Sequence, residues 1–191
     1  MLKGPLTALT AALLTLGAAG CCTRNRAAAA APGPGVPAGV AAEHAALAGE
    51  VAAAGGETTV GDWRVAYVVE KPRGWFTVAG GTHTLRKPAA GETHHLTVVP
   101  IEAATGRIVP DVPVTLQVLD AAGRPVDQRR LWFLRDSYYH YAHNFAVPRA
   151  GVYTLRATLG TPAFARYGAD GDTPALSRGT VALFPGVRLN P

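Results

Sequence analysis

His140-Tyr141-Ala142-His143-Asn144-Phe145-Ala146-Val147-Pro148-Arg149-Ala150-Gly151-Val152-Tyr153-Thr154-Leu155 sets two histidines and two aromatic residues just ahead of a new strand. Its second half, Pro148 to Tyr153, has the form of a tyrosine corner. In that device a Tyr near a strand start bonds back to the backbone where the chain crosses between sheets. Tyr153 is therefore a corner residue, and the segments around it should be strands of two packed sheets.

The pattern outward from this corner agrees. Trp63, Val65, Tyr67 and Val69 alternate with polar or small residues, the period of a half-buried strand. Further strands are expected over 75–78, 83–86, 94–99, 112–119, 128–134, 144–147, 152–159 and 180–183. Turn signals such as Pro72-Arg73-Gly74, Pro88-Ala89-Ala90-Gly91 and Asp120-Ala121-Ala122-Gly123 separate them. No sustained helical stripe interrupts this region. The expected fold is all-β, an immunoglobulin-like antiparallel sandwich of about seven or eight strands over residues 59–189. Trp63, Trp75 and Trp132 are expected to pack within it.

The N-terminal part has a different logic. Lys3, the apolar run from Leu6 to Leu16 and the small residues Gly17-Ala18-Ala19-Gly20 form the three-part plan of a secretory signal over 1–20. That apolar run is too short to span a bilayer. Cys21 follows at once and resembles the acylated cysteine of bacterial lipoproteins, with Ala18 at a position where Leu is preferred. Residues 21–58, rich in Ala, Gly and Pro, read as a tether that holds the domain near a membrane. A transient helix is allowed over Val40 to Ala54, and His44 is expected to be solvated there. The chain has two cysteines, both at the expected cleavage junction. The domain must therefore be held by its core rather than by disulfides. The net charge of +5 is carried by scattered Arg, with no basic stripe interleaved with aromatics. Nucleic-acid binding is not expected.

Enzyme signatures fail. No Cys nucleophile lies in the domain, and there is no G-x-S-x-G, no phosphate-cradling loop and no H-E-x-x-H. Asp170-Gly171-Asp172 offers too few carboxylates for a calcium cage. The histidines stand apart: four of six fall in two short clusters, His94-His95 and His140/His143. Imidazole suits copper, zinc, nickel and iron. His94 and His95 are successive on a strand and must face opposite sides, so only one joins a given site. His140 and His143 converge only if the backbone turns.

From Thr93 to Tyr167 the chain resembles the periplasmic iron-transport-associated proteins of the P19 type. The resemblance rests on His95-Leu96, on Ala104-Thr105-Gly106-Arg107-Ile108-Val109-Pro110, on Val114-Thr115-Leu116 and above all on His140 to Tyr153. It implies a sandwich, usually dimeric, that binds copper and iron for a membrane permease. It places metal ligands at His95 and His140. The family's glutamate falls on Thr97, its methionine near Phe133 and its later histidine on Tyr167, which follows Arg166. His143 and His94 are the substitutes nearest in sequence, and Thr97, Phe133 and Tyr167 would stand behind the ligands. The only Met in the chain is Met1, so the thioether that favours Cu(I) is absent. The expected function is non-catalytic: an exported, lipid-anchored protein that binds copper or iron, with zinc a further candidate, for an uptake system. The rival is a tethered sandwich that binds a protein or glycan partner.

Overall fold

The structure is a computed structural model, described here for residues 37–190. The expected signal segment and Cys21 lie outside those residues. Eleven strands and one helix follow in order: α1 Ala38–Ala54, β1 Gly55–Val60, β2 Trp63–Glu70, β3 Trp75–Ala79, β4 Thr82–Arg86, β5 His94–Glu102, β6 Val114–Leu119, β7 Pro125–Arg130, β8 Trp132–Arg135, β9 Tyr139–Phe145, β10 Gly151–Leu159 and β11 Thr180–Leu189. Nine strands build two sheets, in the orders β1-β2-β5-β9-β8 and β11-β10-β6-β7, while β3 and β4 form a separate hairpin. The strand pairs are antiparallel.

The all-β sandwich expected from the sequence is what forms, and alternation explains it. Val114, Leu116 and Val118 of β6 and Tyr153, Leu155, Ala157 and Leu159 of β10 turn inward against Val65, Leu96, Val98 and Phe145 of the other sheet. Tyr153 Oη donates to the Arg149 carbonyl at 2.8 Å, the bond of a tyrosine corner. Strand β5 is different because it is buried almost throughout. A strand with one solvated face alternates, so β5 must be covered on both sides.

The second cover is α1. Leu47 packs with Ala66, Val99, Ile101 and Tyr138 on the outer face of the five-stranded sheet, and the Glu50 carboxylate accepts from Tyr138 Oη. This corrects the reading of 21–58 as tether. From Ala38 on, the chain is helix and then strand, and β1 pairs with β2 from Gly55↔Val68 to Val60↔Trp63. Glycine hid this strand, yet the fold needs it: a Cβ at Gly55 would collide with the Tyr67 carbonyl oxygen. His44 is half-buried on this helix rather than solvated in a linker.

Three other expectations shift. The single strand expected over 128–134 is two, β7 in one sheet and β8 in the other, with the crossing at buried Leu131. The strand expected over 144–147 begins at Tyr139, which puts His140 and His143 inside it rather than in a loop. Trp63 and Trp75 are buried as expected, but Trp132 is 50% exposed on β8.

Leu47→Ala should remove about 2–3 kcal/mol of packing between helix and sheet. Hydrogen exchange should then accelerate across 38–54 and leave β5, β6 and β10 protected.

Candidate metal site

Strand pairing decides which histidines meet. Directly opposed residues of an antiparallel pair share a face. His95 of β5 is opposed by Glu70 of β2 and by Asn144 of β9. Thr97 is opposed by Ala142, and Leu134 of β8 by His140. The outer face thus carries Glu70, His95, Thr97, Asn144, Ala142 and His140 in one patch beside α1. His140 lies four residues from Asn144, about 13 Å of strand, so the two imidazoles approach only by leaning toward each other. Ala142 and Thr97, both small, lie between them and leave room for this.

Asn144 is wholly buried and fixes the first imidazole. Its Oδ1 accepts from the Arg73 backbone N–H at 3.2 Å and from His95 Nδ1 at 2.7 Å. Its Nδ2 donates to the Arg73 carbonyl at 2.8 Å and to Glu92 Oε2 at 3.0 Å. The amide orientation leaves His95 one choice: the proton sits on Nδ1 and Nε2 keeps its lone pair. His140 Nδ1 likewise donates to the Tyr138 carbonyl at 3.1 Å. Among the described residues neither Nε2 has a hydrogen-bond partner. Among the described residues the one sealed, unpartnered side-chain nitrogen or oxygen is Trp75 Nε1, so both Nε2 atoms reach solvent. A histidine whose far nitrogen is tied to an oxygen is the usual form of a metal ligand.

The electrostatics agree. His95 is 2% exposed and His140 6%. Burial pushes both imidazoles below their ordinary value, His95 to about 4, and the Arg73 guanidinium adds to the effect on each. Both are neutral near pH 7. Around them stand Arg73, Glu70, Asp136 and Glu50, all of which act on His140 or on its neighbour Tyr138. Deeper in, burial alone would raise Glu92. The Arg86 ion pair and the bonds from Ala89 N–H and Asn144 Nδ2 outweigh it and hold the carboxyl at about 2.

The other sequence-derived candidates fall elsewhere. His143 opposes Leu96, and His94 opposes Phe145, so both lie on the opposite face from His95. His143 donates from Nδ1 to the Asn144 carbonyl at 2.8 Å and meets the Trp75 ring at 5.4 Å, while the same indole lies 6.0 Å from the His95 ring. His94 Nδ1 bonds Thr93 Oγ1 at 2.8 Å. Phe133 opposes Tyr141, not His140, and stacks on Tyr139 at 5.4 Å. The residue opposite His140 is Leu134, one position on. Tyr167 is fully exposed and lines a cleft with Glu102 at the far end of β5, about 23 Å of strand from His95. Of the proposed supporting residues only Thr97 is in place. Sequence reasoning missed Glu70, Arg73, Asp136 and Glu50. The parity of His140 and Asn144, four apart in one strand, was the available signal for the shared face.

For a transition metal the residues fit in kind, with two neutral imidazoles open at Nε2 and carboxylates beside them. They do not converge: among the described residues no group of three His, Cys, Asp or Glu is gathered around one point.

No known family model matches the sequence, and no curated protein sequence is significantly similar to it. The fold is shared with solved structures. Uropathogenic Escherichia coli strain F11 FetP, expressed in the periplasm, superposes with a TM-score of 0.54 over 72% of this chain and 96% of its own, at 18% identity. The copper-reconstituted P19 protein of Campylobacter jejuni gives 0.55 over 72% and 97%, at 14% identity. A copper-bound variant of FetP gives 0.52 over 71% and 97%, at 15% identity. At these identities the likeness is one of architecture: a sandwich of the kind seen in FetP and P19.

Acid should destabilise the fold in two steps. A histidine depressed by burial binds its proton more readily unfolded, so stability is full above about pH 6.5 and falls as pH drops toward 4. His95 alone is worth about 3 kcal/mol over that window. Glu92, depressed in the folded state, adds stability that is present above about pH 4.5 and is lost toward pH 2. Urea unfolding at pH 7, 5 and 4 should show the first loss, and His95→Gln should flatten it.

Proposed function

We propose that this chain is a divergent protein of the P19 type, an exported carrier that captures a transition-metal ion and hands it to a membrane permease. The observation that carries the reading is the pair His95 and His140 on one sheet face, each neutral, each with Nδ1 tied to an oxygen and Nε2 open. Fold likeness to copper-bound FetP and copper-reconstituted P19 supports it. With the thioether absent and carboxylates nearby, the donors suit Cu(II), Fe(II) or Zn(II) better than Cu(I). The ion is cargo, and the protein performs no covalent chemistry on it. Export by the 1–20 signal and anchoring through Cys21 would keep the carrier beside its permease. A homodimer, as the P19 resemblance implies, would be the working unit.

One observation favours the rival reading. Trp132, Phe133 and Tyr139 are all exposed along β8 and the start of β9, with the Arg135 guanidinium 5.6 Å from the Tyr139 ring. Aromatic residues with arginine make a contact surface, so an envelope-tethered interaction module would use this edge.

Calorimetric titration of the metal-free protein with Cu(II) and Zn(II) separates the two. A carrier binds one ion per chain, and His95→Ala with His140→Ala abolishes it. Binding that ignores the double substitution rejects the carrier.

A further inference from the structure

His95 and His140 are both buried to more than nine-tenths, and among the described residues their Nε2 atoms have no partner and no third donor joins them. One cation, Arg73, acts electrostatically on both. Arg73 leaves the β2–β3 connection, and its guanidinium bonds Asp136 Oδ2 at 2.5 Å and Glu70 Oε1 at 3.4 Å. Glu70 is the cross-strand partner of His95, and Asp136 sits in the β8–β9 connection that leads into His140. The guanidinium therefore straps the face from β2 to the β8–β9 hairpin, across the strand that carries His95.

The two halves of Arg73 are held very differently. Its backbone is fixed through both N–H and C=O to the buried Asn144 amide. Its side chain is 46% exposed and is held by carboxylates that are themselves 33% and 52% exposed. Ion pairs of that kind are weak and screened by solvent. A rigid base thus carries an easily released charge. Guanidinium has no lone pair and stays protonated, so it cannot ligate a metal and must leave when one arrives.

We propose that Arg73 is the resident cation of this site: it neutralises Asp136 and Glu70 in the metal-free protein, and a divalent transition-metal ion loads by displacing it, taking those carboxylates as donors beside His95 and His140. The inference rests on the carrier reading above. It accounts for the two carboxylates, which the guanidinium occupies in the metal-free protein. It also gives a route for release. The returning guanidinium competes with the ion for the same two carboxylates, so cargo is held loosely enough to pass on.

The test is calorimetric titration with Zn(II) of the full chain and of Arg73→Gln, Arg73→Lys and Arg73→Gln/Asp136→Asn variants. The Arg73 Nε–H resonance of the unsubstituted protein is followed in parallel. Thermal unfolding verifies that each variant is folded, and the backbone bonds to Asn144 survive every substitution. Removing the competing charge should tighten Zn(II) binding by about tenfold or more. Lysine should behave like the unsubstituted protein, Asp136→Asn should reverse most of the gain, and the Nε–H signal should move on loading. Equal or weaker binding by Arg73→Gln, or a gain indifferent to Asp136, overturns the role of Arg73. If that happens while His95→Ala/His140→Ala still abolishes binding, the carrier reading stands alone. Absence of binding in every variant, or binding that ignores the histidines, removes both.

Discussion

The buried carboxamide of Asn144 is the interaction on which the site depends. It uses both lone pairs and both protons, and its four bonds serve three requirements. One sets the tautomer of His95. Two clamp the backbone of Arg73, and with it the path of the chain out of β2. The fourth reaches Glu92, which is locked to Arg86 and to the turn before β5. A partly satisfied amide at that depth would be costly, so the four bonds form together or not at all. Loop, strand and the His95 imidazole are thereby ordered by one side chain.

The sandwich supplies what Asn144 cannot, which is the juxtaposition of strands. Pairing of β2, β5 and β9 brings Glu70, His95 and Asn144 into one row from three distant parts of the chain. Helix α1 then closes the same face at its other end, where Leu47 meets Val99 and Ile101. The outcome is a sheet whose outer surface is dry at one end and polar at the other. His140 sits at the border, against Tyr138 and the reach of Glu50.

Much of this was legible in residue patterns. The corner at Tyr153 and the alternation of β2, β6 and β10 follow from spacing and type, whereas the choice of His95 and His140 among four clustered histidines came from the P19 resemblance. The failures have definite causes. Gly55-Gly56 disguised a strand whose glycine answers to a neighbouring carbonyl. An alanine-rich helix has no strong stripe, and Leu47 is its single fully buried residue. The crossing at Leu131 turned one apparent strand into two. A one-residue offset on β8 then assigned Phe133 to the face that Leu134 occupies. Arg73, Glu70 and Asp136 carried no sequence signal, because their meeting depends on a loop held by an asparagine far away in the chain.

The indole of Trp75 ties these parts together from outside. It is buried, its N–H has no partner among the described residues, and the Arg86 guanidinium lies 4.4 Å from its ring centroid. On its other sides are His95 and His143, one from each face of the sheet. An indole so placed is an optical sensor native to the fold. Protonation of either imidazole would change the polarity around this indole, so Trp75 emission would report on both histidines.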